Sequence, residues 1–147
     1  MALSANTALQ IRGNISDAPY QHIVIKTASV IYHHALVGRN AAGTVVPLAN
    51  NPTISFLGLA EITDPTGADG VTGDGTAVIK VITGGIEILI PKAATMTAGL
   101  LEDVVYGVDD ASATNLATLG PAIGTFSEIS GSSAWVRLRS PTMANAS

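Results

Sequence analysis

The chain contains no cysteine. Disulfides, thiolate metal sites and cysteine nucleophiles are therefore excluded. It is also poor in charge, with 12% Asp, Glu, Lys and Arg against roughly 25% in an average domain. Aromatic residues make up only 4%. Seven Lys and Arg are scattered along a chain of net charge −4. They form no basic stripe of the kind that displaces counterions from phosphates, so nucleic acid is not an expected partner. Long hydrophobic runs are absent too. Ile86–Ile90 and Val104–Val108 are interrupted by Glu87 and Gly107 and are too short to span a bilayer, so no membrane partner is expected. The first fourteen residues, M-A-L-S-A-N-T-A-L-Q-I-R-G-N, have neither a basic n-region nor an apolar h-region. They are not expected to act as a signal peptide.

What is present is apolar mass of small and branched residues. Ala, Val, Ile and Leu dominate a hydrophobic fraction of 47%, which is not the composition of a disordered chain. At 147 residues one domain is expected, large enough to bury a core without staples. The low charge leaves two readings of the surface. Either a partner covers much of it, or Thr, Ser and Gly with their backbone are solvated directly.

Turn chemistry divides the chain into short β segments. Residues 1–20 are polar and small, with apolar positions at Leu3, Leu9, Ile11 and Ile15 that fit neither helix nor strand spacing. An extended N-terminal arm is expected there. His22 to Lys26, Ser29 to Val37 and Thr44 to Leu48 read as strands, and Pro47 suits an edge. Thr53 to Thr63 reads as a bulged strand around Gly58 or a strand entering a helical turn. Asp64 to Gly75 is a Gly/Asp loop. Thr76 to Ile90 alternates around Gly84-Gly85, which predicts a β-hairpin ended by Pro91. Lys92 to Leu101 allows one helical turn. The last third, Asp103 to Arg139, holds further short strands and closes with the single tryptophan, Trp135. Residues 21–139 are thus expected to form an all-β domain, a small β-barrel or β-sandwich of about eight to ten short strands with at most one short helix. Residues 140–147 are expected to be a flexible tail.

No catalytic, metal or cofactor constellation emerges. Asp64, Asp69 and Asp74 lack the spacing and terminal Glu of a calcium loop and read as turn formers. His33 and His34, if on a strand, face opposite ways and cannot share an ion, and His22 is too distant to pair locally. There is no G-x-S-x-G nucleophile elbow, nor a phosphate loop followed by Lys-Ser/Thr. Glu102/Asp103 and Asp109/Asp110 read as strand-edge and turn charges. Trp135 reads as a core plug or an interface anchor. The candidate interface residues are therefore Leu3, Leu9, Ile11, Tyr20 and Trp135.

Several stretches resemble a known family. Ala98 to Asp110 reads A-G-L-L-E-D-V-V-Y-G-V-D-D. It is followed by Gly120-Pro121-Ala122-Ile123-Gly124-Thr125 and by Ser133-Ala134-Trp135-Val136-Arg137-Leu138. Together with Phe56 to Ala60 and the Val81 to Leu89 segment, these resemble the capsid decoration (cement) proteins of tailed bacteriophages. The similarity covers roughly Ala35 to Arg139. The resemblance implies a β-barrel-like protein, often a homotrimer, without catalysis or cofactor. It would bind the major capsid protein on the outer surface of the virion and stabilise the shell, after assembly in the host cytoplasm. A different virion module, such as a tail tube, fibre or adhesin domain that self-assembles, is the alternative expectation. A small β-barrel enzyme or ligand binder is the third, and the chain lacks the motifs for it.

Overall fold

The computed structural model describes residues 3, 6–62, 70–93, 104–114 and 120–139. Thirteen strands occur among them. In chain order these are β1 (Ile11–Arg12), β2 (Tyr20–Val24), β3 (Val30–Ile31), β4 (Leu36–Arg39), β5 (Val45–Pro47) and β6 (Ser55–Glu61). They continue with β7 (Val71–Thr72), β8 (Val78–Ile82), β9 (Glu87–Pro91), β10 (Val104–Gly107), β11 (Ala113–Thr114), β12 (Ala122–Ser130) and β13 (Ser133–Leu138). The all-β expectation holds. A single 3-10 turn, Ile15–Asp17, is the helical piece among the described residues, capped by the Asn14 side chain accepting from Ser16 N–H. The helical turn expected from Lys92 lies almost wholly outside the described residues, as do the tail at 140–147 and the first half of the Asp64–Gly75 loop.

The strands build two main antiparallel sheets. One runs β1-β9-β13-β12-β10-β11, the other β2-β8-β6-β4-β5, and β3 pairs with β7 in a small third sheet. No sheet closes into a barrel among the described residues, so the architecture is a sandwich. β5, with Pro47, lies at a sheet edge as Pro requires. Beyond β2, a parallel bridge between Ile25 and Val45 draws the two ends of the five-stranded sheet toward each other.

Two cores result. The larger fills the space between the main sheets. Leu36, Phe56, Leu59 and Ile82 meet Ile86, Ile88, Ile90, Val105, Ile123, Phe126, Val136 and Leu138 there. The smaller lies on the other face of the five-stranded sheet, with Ile25, Ile31, Val37, Val45, Leu57, Ala60, Ile79 and Val81. Strand β6 feeds both, and a simple alternation could not do this as observed. Phe56 and Leu59, three residues apart, face the larger core, whereas Leu57 and Ala60 face the smaller. A register shift against β4 between Val37 and Gly38 leaves Leu57 as the extra residue. The bulged-strand reading of Gly58 is therefore the correct one.

The hairpin expected from Thr76 to Ile90 does not form. β8 pairs with β2 and β6, whereas β9 pairs with β1 and β13. Gly84 and Gly85, at φ +121 and +76, turn a corner between layers rather than a hairpin within one. The reason is burial. Ile82 before the corner and Ile86 after it both enter the larger core, so the chain must cross from one wall of that core to the other. The alternation within the second half holds: Ile86, Ile88 and Ile90 share one buried face. The Ser29 to Val37 strand is also interrupted. It divides into β3 and β4 around a turn at His33-His34.

Candidate functional site: the N-terminal segment and the Trp135 face

The N-terminal segment lies along the body of its own chain. Leu3 packs against the smaller core, and Leu9, Ile11 and Ile15 against the larger. Ile11 pairs with Ile88 and Arg12 with Glu87, which makes β1 the edge of the six-stranded sheet. Leu89 N–H donates to the Gln10 carbonyl at 3.0 Å. Further back, Thr7 donates to the His33 carbonyl from both its N–H (3.1 Å) and its hydroxyl (3.0 Å), and His33 N–H donates to Asn6 Oδ1 at 2.9 Å. Leu9 N–H donates to His34 Nδ1 at 2.9 Å, and Leu3 N–H to Asp110 Oδ1 at 2.8 Å.

The two histidines do not sit on opposite faces of a strand. His34 has φ +59, and this left-handed turn brings the rings into a stack, 3.9 Å between centroids and 24° apart. Each Nδ1 accepts a backbone N–H, His33 from Ile62 and His34 from Leu9. A ring that accepts at Nδ1 carries its proton on Nε2 and is neutral. Burial holds the His34 pKa down at about 4, helped by His33 beside it. It also lowers that of His33, against the pull of Glu61. Asp110 is 3% exposed, and burial raises its pKa. A cavity of about 80 Å³ lies beneath the segment, lined by Leu3, Leu9, His34, Ile90, Pro91 and Asp110 among others. Asp74, by contrast, is a turn former. Its Oδ1 accepts from Thr76 N–H, the Thr76 hydroxyl and Ala77 N–H, and these bonds lower its pKa. Among the described residues no group of three or more His, Cys, Asp or Glu could hold a metal ion.

Trp135 lies on the opposite face of β13 from Ala134, Val136 and Leu138, which enter the core. It is nevertheless only 7% exposed. The Arg12 guanidinium covers it at 3.8 Å from the ring centroid. Arg12 in turn contacts Glu128 at 2.6 Å and Glu87 at 3.7 Å, and Arg137 reaches Glu87 at 3.5 Å. These ion pairs are partly exposed and weak individually. The arrangement is an aromatic platform covered by an ion-paired guanidinium. Arg12→Ala is expected to cost about 1 kcal/mol, the range of an exposed cation–π contact with its ion pairs. It should also shift the emission of the single tryptophan to the red. Unchanged emission would show that other groups, not Arg12, keep Trp135 dry.

Tyr20 is 53% exposed at the start of β2, an outer strand of its sheet. His22 meets it edge-on at 5.4 Å, and Lys80 Nζ lies 4.6 Å from its ring centroid. The five residues singled out in the sequence therefore do not form one surface. Leu3 and Leu9 are anchored near His34 and Asp110, Ile11 and Trp135 belong to the six-stranded sheet, and Tyr20 stands on the other sheet. Sequence reasoning missed His33, His34, Asp110 and Arg12. Their roles depend on a left-handed turn and on pairings between the two ends of the chain, for which local spacing carries no signal.

No family model matches the chain, and no curated protein matches it. Among solved structures, a chain of the capsid of Myoviridae phage XM1 has the same fold. The TM-score is 0.61 at 19% identity, over 93% of this chain and 92% of that one. The two chains are thus of nearly equal length and superpose across almost their whole extent.

Proposed function

We propose that this protein is a virion structural protein without enzymatic activity, which binds the outer surface of a tailed-phage capsid as a homotrimer and stabilises it. The observation that supports this most is the full-length likeness to a small chain of a phage capsid. The family resemblance of residues 35–139, reached independently from the sequence, points the same way. The major capsid protein would be the partner, and Tyr20 and the Trp135 face are the surfaces offered to it or to neighbouring copies.

The mechanism is area burial repeated over a shell. Each copy contributes a modest binding free energy, and the number of sites multiplies it. A protein that binds the assembled shell but not its dissociated subunits shifts the equilibrium away from disassembly by mass action. Purified protein mixed with undecorated capsids is expected to pellet with them and to raise the temperature at which they release their contents. Failure to co-sediment at both low and high salt would overturn the reading. Sedimentation of the free protein at rising concentration should give a closed trimer. Open-ended growth would instead indicate a tube-forming module.

A further inference from the structure

We propose that the His33–His34 turn is a pH-operated latch that holds the N-terminal segment on the body at neutral pH and releases it on acidification. This goes beyond a role in capsid binding and does not depend on it. The geometry carries the argument. Two stacked imidazoles 3.9 Å apart each accept a backbone N–H at Nδ1. The donor to His34 belongs to Leu9, in the segment itself. A proton added to that Nδ1 removes the acceptor and sets an N–H against the N–H of Leu9. It also places a charge in a site 8% exposed, face to face with a second ring. The same turn grips the segment through the His33 carbonyl and N–H, so displacement of His34 loosens Asn6 and Thr7 as well.

The charged and titratable groups around the latch act in both senses. His33 disfavours a proton on His34, and Glu61, at the end of β6, favours one on His33. Asp110 lines the same cavity from the β10–β11 turn, with Asp109 beside it. Burial makes Asp110 take up a proton readily, so as pH falls it favours the closed, buried arrangement and opposes release. For His34 the sign is the reverse. Its folded pKa lies below the ordinary value of 6.5, at about 4. The closed segment is fully favoured above about pH 6.5 and progressively loses that advantage as pH falls toward 4. Release exposes Leu3 and Leu9, which are then available to a neighbouring surface.

The test is amide hydrogen exchange by NMR on the full chain, corrected for intrinsic rates, between pH 7 and pH 4. Protection at Leu9 and Thr7 is expected to fall at least tenfold, while Ile88 and Val136 in the core keep theirs. His34→Asn preserves a residue tolerant of positive φ and an acceptor, but removes the titration. In that variant Leu9 should stay protected at pH 4. Asp110→Asn is uncharged at every pH, as the protonated carboxyl is, and keeps an acceptor for Leu3 N–H, so release in that variant should come at the same or a lower pH. Three results would overturn the proposal: Leu9 protection constant down to pH 4, Leu9 lost only together with the core, or His34→Asn releasing the segment as the wild type does. Should His34→Asn not fold, the wild-type ring resonance decides. It must titrate with the same midpoint as the loss of Leu9 protection, and a different midpoint refutes the latch.

Discussion

Gly58→Ala is expected to cost about 3–5 kcal/mol of stability, a large share of the 5–15 kcal/mol typical of a domain, and to lower Tm by more than about 10 °C. A Cβ at this position would overlap the carbonyl oxygen of Ile82 and lie 2.9 Å from Val81 Cγ1. The obstacle is backbone of β8, the neighbouring strand, so no rotamer change relieves it. Either β6 and β8 separate, or the bulge at Leu57–Gly58 reorganises. Both disturb side chains committed to the two cores at once, Phe56 and Leu59 on one side and Leu57 and Ala60 on the other. Overpacking usually costs about 1–3 kcal/mol, and the rigidity of the obstacle puts this case above that range. Gly43→Ala is the control. Gly43 has φ +85, but a Cβ added there would meet nothing within 4 Å, so only the left-handed strain of about 1–2 kcal/mol applies. Thermal unfolding of the two variants side by side checks the argument. A loss at Gly58 no greater than at Gly43 would show that β6 and β8 can part easily.

Removing residues 1–13 is expected to destabilise the domain by about 3–5 kcal/mol. The loss is that of two partly buried side chains, Leu9 and Ile11, with several hydrogen bonds. The sequence suggests an arm that could be trimmed without harm to the fold, because its apolar residues follow no helical or strand period. In the folded chain, however, Ile11 and Arg12 are paired sheet residues. Truncation would leave the Leu89 N–H and the acceptors on His33 and His34 without their partners. It would also turn β9, with Ile88 and Ile90, into an unprotected edge, a known route to aggregation. Urea unfolding of the truncated and full-length chains measures the difference. A loss below about 1 kcal/mol, with unchanged solubility, would mean that the segment is only docked.

The elements that can be read from sequence are those whose signal is local. β2, β5, β10, β12 and β13 fall where alternation and turn residues place them, and Pro47 marks an edge. Pairing is less legible. Gly84-Gly85 has the chemistry of a hairpin, and nothing near it reveals that Ile82 and Ile86 must enter the same core from opposite walls. The candidate interface is legible in part. Trp135 stands on the outward face of its strand yet is shielded by Arg12, a contact between the two ends of the chain. The histidine pair escapes a local reading because His34 adopts a left-handed turn where the flanking residues suggest a continuous strand.

The order of strands in the six-stranded sheet also governs when the protein can fold. β9 lies between β1, from the beginning of the chain, and β13, from its end. The layer opposite needs β2 and β8, whose partners Ile23 and Ile79 are far apart in sequence. The wall facing Ile86, Ile88 and Ile90, with Leu36, Phe56, Leu59 and Ile82, precedes them in the chain, but β9 lacks its neighbour within the sheet until β13 has been made. Completion of the six-stranded sheet waits for β13 and is slowed by long-range pairings, and the chain's low charge leaves those strands with little to keep nascent copies apart.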